Sequence, residues 1–503
     1  MHVALFSEPS DYSQEDHRGQ GEKRASHTVK LKKIVLYSLM LGTLVTTVTA
    51  CRNIEEDGQT IVQGGSGSGS TENLILSGKI TSNLTLKANN TYKLRGLVYV
   101  TNGATLTIEP GTKIVGEADK NGSLIITRGS KIMAEGTAAN PIIFTSEKPS
   151  PKRGDWAGLV ILGSAPTNAS YNGQAGIGEI EGGINNTEGL GLYGGTNAAD
   201  NSGVLKYVRV EYAGYAFLPD KEINGITFGG VGNGTTVDYV EVAYANDDSF
   251  EWFGGTVNCS HLIAYKGLDD DFDTDNGFSG KVQFGIAVRD AQIADVSGSN
   301  AFESDNDANG SSLTPQTGAT FSNMTIIGPI NSSSTSTNAS TINVLFQNAL
   351  QIRRNSSISI FNSVFTGYPV GLFIDATKGT PTDNNIGGSS LVFQNNILAG
   401  NTAQLKFAGS TTTPTTFTLT DLTNWFNAGG NTLQTYTADV KLTGAWAPAG
   451  TTPNFSPAAG SALLTGGVFT HAKLTNWFTP VTYRGAVKDA NDTWYAGWTN
   501  YNL

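Results

Sequence analysis

A repeat of about 21 to 22 residues in the middle of the chain limits its fold more than any other feature. The segment AYANDDSFE (243–251) returns as AYKGLDDDFD (264–273). A looser echo pairs YVRVEYAG (207–214) with YVEVAYAN (239–246), and the FGG of 228–230 recurs further along the chain at 253–255. A repeat of this length matches one coil of a right-handed parallel β-helix, in which successive coils bury each other's apolar faces. The sequence therefore predicts an all-β solenoid.

The distribution of strand-like runs and turn residues along the chain indicates where this solenoid begins and ends. From residue 73 it consists of short β-rich runs separated by Gly, Asn and Asp, without a convincing amphipathic helix. Asn-Gly turns at hairpin spacing are scarce, which favours coils over hairpins. Five of the seven tryptophans follow residue 402, where the strand runs become irregular. We expect the parallel β-helix over residues 73–401, and an irregular, Trp-rich C-terminal cap, or the end of the solenoid, over 402–503.

Charge and composition exclude two classes of function. The formal net charge is −11 and no basic cluster occurs, so nucleic acid is not an expected partner. Only His261 and His471 follow the targeting segment, which excludes a multi-histidine zinc site. Cys51 and Cys259 cannot form a disulfide framework, and we expect Cys259 to be a lone buried thiol.

The N-terminal region has the layout of a signal peptide. Residues 34–50 form an apolar run that follows three lysines and ends in small residues before Cys51. The ending VTAC (48–51) resembles the bacterial lipobox, which predicts a lipid on Cys51 and a membrane anchor. A transmembrane helix is the alternative, although the run is short for a bilayer. Residues 1–50 are thus the expected signal region, in which the polar stretch 1–28 is consistent with a start codon assigned too early.

Residues 51–72 continue as a Gly/Ser-rich tether. The acidic run Glu55-Glu56-Asp57 resembles the signal that sends lipoproteins of the Bacteroidota to the outer face of the outer membrane, although a solvated linker would have the same composition. The expected location is the outer membrane, with the protein lipid-anchored and facing the cell exterior.

Several longer stretches carry a family resemblance. They are ATLTIEPGTKIVG, GDWAGLVILG, YANDDSFEWFGGTVN, YKGLDDDFDTDNGFSGKVQFGIAVRD, FSNMTIIGP and the ending TYRGAV…WYAGWTN. Over roughly residues 73 to 503 the chain resembles Bacteroidota surface lipoproteins with a pectin-lyase-like parallel β-helix. The resemblance implies a fold and a cell-surface location but no established activity, so the function has to be argued from the site.

A threefold acidic motif is the strongest chemical signal. Phe250, Phe272 and Phe302 are each followed by carboxylates, and the first two follow acidic pairs. At the coil period these carboxylates stack about 4.8 Å apart and repel one another. Oxygen ligands of this kind suit Ca²⁺, the cofactor we expect. The predicted ligands are Asp247, Asp248, Glu251, Asp269, Asp270, Asp271, Asp273, Asp275, Glu303, Asp305 and Asp307.

The acidic motif can also be interpreted without a cation. The carboxyl pKa values could be raised, the carboxylates could pair with Lys266, Lys281 or Arg289, or the face could simply be solvated. Two segments, 305–310 and 271–277, resemble the start of a calcium loop, but neither completes an EF-hand, since position twelve of the first is Gln316.

Three functions fit the sequence. The first, which we favour, is a surface protein that binds a polysaccharide or a protein partner with the help of exposed Tyr244, Trp252 and Tyr265; core packing is the alternative for the aromatic residues. The second is a polysaccharide lyase or glycoside hydrolase. Its candidate catalytic residues are Asp247, Asp269, Asp270 and Arg289, with cation-assisted proton abstraction or a carboxylate pair as the chemistry. The third is a structural cell-surface element.

Overall fold

The computed structural model describes residues 73–88, 90–218, 221–332, 341–447 and 450–503. The predictions for the signal region 1–50, the lipidated Cys51 and the tether 51–72 lie outside these residues. Within them, no helix combines the length and the apolar character needed to cross a bilayer.

Short strands make up most of the described chain. In chain order they are β1 (Asn73–Ile80), β2 (Leu84–Leu86), β3 (Thr91–Val100), β4 (Thr105–Ile108), β5 (Lys113–Gly116), β6 (Ser123–Ile126), β7 (Lys131–Glu135), β8 (Ile142–Ser146), β9 (Gly158–Leu162), β10 (Ser170–Tyr171), β11 (Gln174–Ala175), β12 (Gly178–Glu179), β13 (Leu192–Tyr193), β14 (Gly203–Glu211), β15 (Ala216–Leu218), β16 (Lys221–Glu222) and β17 (Ile226–Gly229).

The second half of the chain continues with β18 (Thr236–Ala243), β19 (Phe250–Phe253), β20 (Asn258–Tyr265), β21 (Phe272–Asp275), β22 (Lys281–Val288), β23 (Phe302–Ser304), β24 (Thr320–Ile327), β25 (Asn348–Arg353), β26 (Ser359–Phe361), β27 (Val364–Thr366), β28 (Val370–Asp375), β29 (Phe393–Gln394), β30 (Ile397–Ala399), β31 (Ala403–Ala408), β32 (Thr432–Gln434), β33 (Leu442–Gly444) and β34 (Asn454–Pro457). Two α-helices are described, α1 (Asn384–Gly387) and α2 (Leu419–Ala428).

The parallel strands stack into three sheets, one strand of each per coil. Sheet 1 contains β5, β8, β27, β30 and β32, sheet 2 contains β6, β9, β17, β19, β21, β23, β25, β28 and β31, and sheet 3 contains β2, β4, β7, β26 and β29. The longer strands β14, β18, β20, β22 and β24 bend at one residue and belong to sheets 3 and 1. The predicted right-handed parallel β-helix is confirmed.

One left-handed residue makes the corner between sheets 3 and 1 on each of seven successive coils. The residues are Tyr207, Tyr239, His261, Phe284, Asn323, Asn362 and Asn395, with φ between 50° and 63°. The first four form a ring stack, in which Tyr239 and His261 lie 4.3 Å apart between ring centroids. The last three are asparagines, which tolerate this backbone conformation best after glycine. This explains why Asn recurs near strand ends.

All three sheets contribute buried side chains to the interior of the solenoid, and the residues that alternate inward along sheet 2 supply a central aromatic stack. Phe250, Phe272 and Phe302 stack on one another in the core, with ring centroids 5.8 and 5.0 Å apart. All three are fully or almost fully buried. Full burial of a side chain of this size stabilises the fold by about 1.5–3 kcal/mol. Their outward neighbours Glu251, Asp273 and Glu303 are consequently held on the opposite face of the same strands.

The repeats seen in the sequence fall into register with one exception. Val208 pairs with Val240 and Phe250 pairs with Phe272, as the echoes of 207–214 and of the acidic motif require. The FGG echo is out of register by one residue, because Phe228 pairs with Trp252 rather than with Phe253. A third aromatic joins the row at Phe302, after a coil lengthened by the loop 289–301.

The C-terminal region contains the last parallel strands of the solenoid, a short helix and a segment that folds back over the outside of the solenoid. Parallel pairing continues past residue 401, since β31 pairs with β28 and β32 pairs with β30. Helix α2 covers the last coils, and it buries Leu422 and Phe426 there. Residues 442–447 and 450–503 return along the outside of the solenoid, where part of this returning C-terminal segment covers the apolar outward face of sheet 1.

Candidate functional site

An acidic pocket of about 250 Å³ lies where sheet 2 meets the turns that precede its strands. Most of the residues that line it are aspartates and glutamates. The lining residues are Glu181, Asn224, Asp247, Asp248, Glu251, Asp269, Asp270, Asp273, Ser297, Gly298, Glu303 and Arg353. The pocket thus gathers seven of the eleven predicted metal ligands and three of the four predicted catalytic residues.

One wall of the pocket belongs to a ladder of side chains, each of which lies two residues before the aligned inward row of Ile226, Phe250, Phe272, Phe302 and Leu350 in sheet 2. Its members are Asn224, Asp248 and Asp270, which line the pocket, and Asn300 and Asn348, which continue the ladder beyond the pocket. Asp248 Oδ1 accepts a hydrogen bond from the backbone N–H of Asp270 at 2.8 Å, and Asp270 Oδ1 accepts one from Asn300 N–H at 2.5 Å. Asn300 Oδ1 accepts the N–H of Asn348 in the same way. Asp248 and Asp270 therefore connect coils as well as line the pocket.

A second wall is the outward row of sheet 2. Glu251, Asp273 and Glu303 are direct neighbours on three successive coils, with Thr227 before them and Gln351 after them. Glu251 accepts a hydrogen bond from Asn224 Nδ2. Glu303 pairs with the guanidinium of Arg353. The row is thus anchored at both ends, while Asp273 stands between two carboxylates.

Two groups of carboxylates are close enough to share a cation. Asp247, Asp248 and Asp269 form one group, and Asp248, Glu251 and Asp273 form the other. In each group the ligand oxygens lie within 4.8 Å of one another. Asp269 Oδ1 and Asp273 Oδ1 are buried and have no hydrogen-bond partner among the described residues. Unpaired carboxylate oxygens together with an all-oxygen ligand set fit a hard cation such as Ca²⁺.

Burial and mutual repulsion raise the carboxyl pKa values in the pocket. Burial, and then the charge of Asp270, raise the pKa of Asp269 to about 8. Burial and Glu303 raise the pKa of Asp270 to about 7, and burial also raises that of Glu303 to about 7 despite Arg353. The pKa values of Asp248, Glu251 and Asp273 are well above the ordinary range, chiefly through burial. Protons or a cation must therefore neutralise part of the cluster.

Arg289 does not belong to this pocket, which corrects its candidate role as catalytic base. Its side chain is fully buried and donates to Asp271 Oδ1 at 3.0 Å and to the carbonyls of Leu268 and Asp269. The ion pair with Asp271 removes that carboxylate from the ligand set as well. A guanidinium so enclosed cannot reach a substrate proton.

The other predicted ligands that lie outside the pocket form ion pairs or hydrogen bonds with neighbouring groups of the protein. Asp305 pairs with Arg353 and Arg354 at 2.9 and 2.6 Å. Asp307 accepts hydrogen bonds from the backbone of Asn309 and from Ser311 in its own loop. Asp275 accepts from the N–H of Asn276. The segments that resemble calcium loops are thus closed by local hydrogen bonds.

The predicted ligand-binding aromatics are also placed differently. Trp252 is fully buried in the core, where it stacks on Phe250 and Phe278. Tyr265 is 3% exposed and packs under Tyr501 of the returning C-terminal segment. Tyr244 is half-buried, with the Arg153 guanidinium 4.6 Å from its ring centroid. None of the three lines the pocket, so they do not form its aromatic binding surface.

Three charged or amide side chains of the pocket were not expected from the sequence. Glu181 comes from the insertion between β9 and β14, and no pattern in the chain could place it beside Glu251. Arg353 comes from β25, one coil beyond the acidic motif. Asn224 could have been found, because it lies two residues before Ile226, just as Asp248 precedes Phe250.

Comparison with known families found one match. The model of a pectate-lyase-like β-helix domain matches residues 78–442. Comparison with curated proteins found no significant match. The matched segment contains the whole of the acidic pocket.

Proposed function

Because the chain belongs to the pectate-lyase-like β-helix domain family, we propose that it binds an extracellular glycan through a divalent cation held in its acidic pocket. In this proposal the domain is a lipoprotein, attached by Cys51 to the outer membrane and facing the cell exterior. The lipobox-like ending and the tether support that location. The proposal joins a calcium-type site to the binding role that the sequence favours.

The observation that carries the proposal is the position of Asp248. It belongs to both groups of carboxylates that can share a cation. Bound Ca²⁺ would offset the repulsion within the cluster and would supply positive charge for the carboxylate or hydroxyl oxygens of a sugar. Asp247, Asp248 and Asp269, with Glu251 and Asp273, would hold it. Arg353 also lines the pocket, where it offsets part of the charge of Glu303 and Asp305, with which it pairs.

Cleavage of the glycan is the second candidate function. The pKa of about 7 for Asp270 and Glu303 favours it, since general acids and bases work best near the pH of the reaction. Arg353 is a poor base, because Glu303 and Asp305 raise its pKa against the effect of burial. A carboxyl group of the pocket is therefore the better donor or acceptor of a proton.

Calorimetric titration of the metal-free protein with Ca²⁺ tests the proposal. We expect saturable binding, and we expect Asp248→Asn to weaken it at least about tenfold, because the substitution removes charge from both groups. Asp119→Asn is the matched control, since Asp119 is exposed and lies outside the pocket. Equal affinity in the wild type and in Asp248→Asn would contradict the cation site.

A second titration separates binding from cleavage. Polygalacturonate is added in the presence of Ca²⁺ or of EDTA. The amount of polysaccharide that stays bound to the protein and the products released into solution are both measured. The binding proposal predicts that the polysaccharide stays bound to the protein in Ca²⁺ and is released by EDTA. It also predicts no new reducing ends and no unsaturated products that absorb in the ultraviolet. Appearance of either product would establish the enzyme instead.

A further inference from the structure

A second pocket lies at the far end of the solenoid. It has a volume of about 320 Å³, within the range of small-molecule sites. Three parts of the chain meet there: the segment from α1 to β29, the C-terminal end of α2, and the returning C-terminal segment at His471. It shares no lining residue with the acidic pocket.

The indole of Trp425 is the largest ring in the lining of this pocket. Trp425 is half-buried and lies against Phe393, with ring centroids 6.4 Å apart. Helix α2 fixes it, because Leu422 and Phe426 on the same helix are buried in the core. An aromatic face held in this way can pack against an apolar ring face at small entropic cost.

Polar groups with free hydrogen-bonding capacity line the same pocket as the indole. The carboxamide of Gln394, the hydroxyl of Ser389 and His471 Nε2 make no hydrogen bond within the described part of the chain. His471 Nδ1 accepts the N–H of Lys473 at 3.2 Å. Burial, and then Lys473, lower the pKa of His471, so the ring is neutral at pH 7 and its Nε2 carries the proton. Nε2 is therefore a hydrogen-bond donor.

The charge of this pocket contrasts with that of the acidic one. None of its described lining residues is a carboxylate, a lysine or an arginine. An apolar ring face edged by donors and acceptors, without charge, complements a pyranose ring, which has C–H bonds on its faces and hydroxyls at its rim. We propose that this pocket is a second glycan-binding site, which takes a neutral pyranose unit and needs no cation.

The test uses the full protein in EDTA, so that binding in the acidic pocket does not contribute. Cellotetraose, maltotetraose, mannotetraose and xylotetraose are titrated by calorimetry and by saturation-transfer NMR. At least one is expected to bind. Trp425→Ala is expected to weaken that binding at least about tenfold, the effect of losing one well-packed aromatic contact.

Two further variants guard against an effect on folding. Gln394→Leu removes the carboxamide without touching α2, and it is expected to weaken binding several-fold. Trp446→Ala is the matched control, because Trp446 packs elsewhere, in the cluster around Tyr501. The site is refuted if no neutral tetrasaccharide binds, or if binding is unchanged in both Trp425→Ala and Gln394→Leu. A parallel titration with tetragalacturonate in Ca²⁺ separates the two sites. If tetragalacturonate binds in Ca²⁺ and none of the neutral tetrasaccharides binds, this second site is refuted and the proposal for the acidic pocket is unaffected.

Discussion

Glu241 shows how one buried carboxyl group depends on a distant part of the chain. It lies on β18 with no exposed surface, and both its oxygens accept the N–H of Asn500, at 3.2 and 3.0 Å. Arg209 Nε is 4.0 Å away. Burial is the largest cause that raises the pKa of Glu241 to about 8, and the neighbouring Glu211 adds to it. The group therefore keeps its proton in the folded protein at pH 7.

This pKa predicts that the stability of the fold decreases as the pH rises from about 4.5 to about 8. The unfolded chain releases the proton near pH 4.5 and the folded protein only near pH 8, so the free energy of unfolding falls as pH rises between these values. Between pH 5 and 8 the loss is at most about 4 kcal/mol, at about 1.4 kcal/mol per pH unit. Glu241→Gln is expected to flatten the pH dependence and to raise the melting temperature at pH 8 more than at pH 5.

Thermal unfolding at a series of pH values measures this effect. Glu135→Gln is the control, because its side chain is exposed on β7. A pH dependence that remains the same in Glu241→Gln and in the wild type would contradict the assignment.

The returning C-terminal segment is the element with the clearest structural task. Its aromatic residues Tyr495, Trp498 and Tyr501 are buried against Ala243, Ile263 and other apolar residues that point outward from sheet 1. Trp498 also meets Tyr207 and Tyr239 edge-on, with ring centroids 5.7 and 6.2 Å away. Without this segment, sheet 1 would expose a continuous apolar strip, a feature that soluble surfaces avoid.

Removal of residues 494–503 is expected to uncover that strip. The melting temperature should fall and a dye that binds exposed apolar surface should bind more strongly, because several aromatic side chains leave the sheet. Asn502→Ala, at an exposed position, should change neither property. Equal melting temperature and dye binding in the truncated and intact proteins would show that the segment does not stabilise sheet 1.

At the scale of the whole molecule, the membrane anchor remains a prediction from the sequence. Cys51 precedes a Gly/Ser-rich tether, and the acidic pocket lies on a solenoid that begins after it. An acyl chain contributes about 0.8 kcal/mol per buried CH₂, so stable attachment needs more than one chain. The modified N-terminal cysteine of a bacterial lipoprotein carries more than one acyl chain, which satisfies this requirement.

Cys51→Ser is therefore expected to release the protein from the membrane. In the expressing bacterium, the wild type should incorporate labelled palmitate and sediment with membranes, whereas Cys51→Ser should do neither. Cys259→Ala serves as the control, because Cys259 is a free, fully buried thiol and cannot be the acylation site. Labelling of Cys51→Ser at the wild-type level would contradict the anchor.

The sequence by itself determined the fold and the rows of the acidic motif. Phe250 and Phe272 lie one coil apart, and because each coil has one strand per sheet, this spacing places Glu251 beside Asp273. Coil length is a local property, so it can be read from the chain. The proximity of the carboxylates of Asp248 and Asp270 could be predicted in the same way, because these residues are also one coil apart.

Only the tertiary structure decided which groups face the pocket and which are enclosed. Arg289 and Asp271 are neighbours of the motif in sequence, yet they pair in the interior, while Glu181 and Arg353 reach the pocket from a distant insertion and a later coil. The cover over Tyr265 comes from Tyr501, more than two hundred residues later. Burial and charge pairing depend on contacts between segments that are far apart in the chain, and no local pattern encodes those contacts.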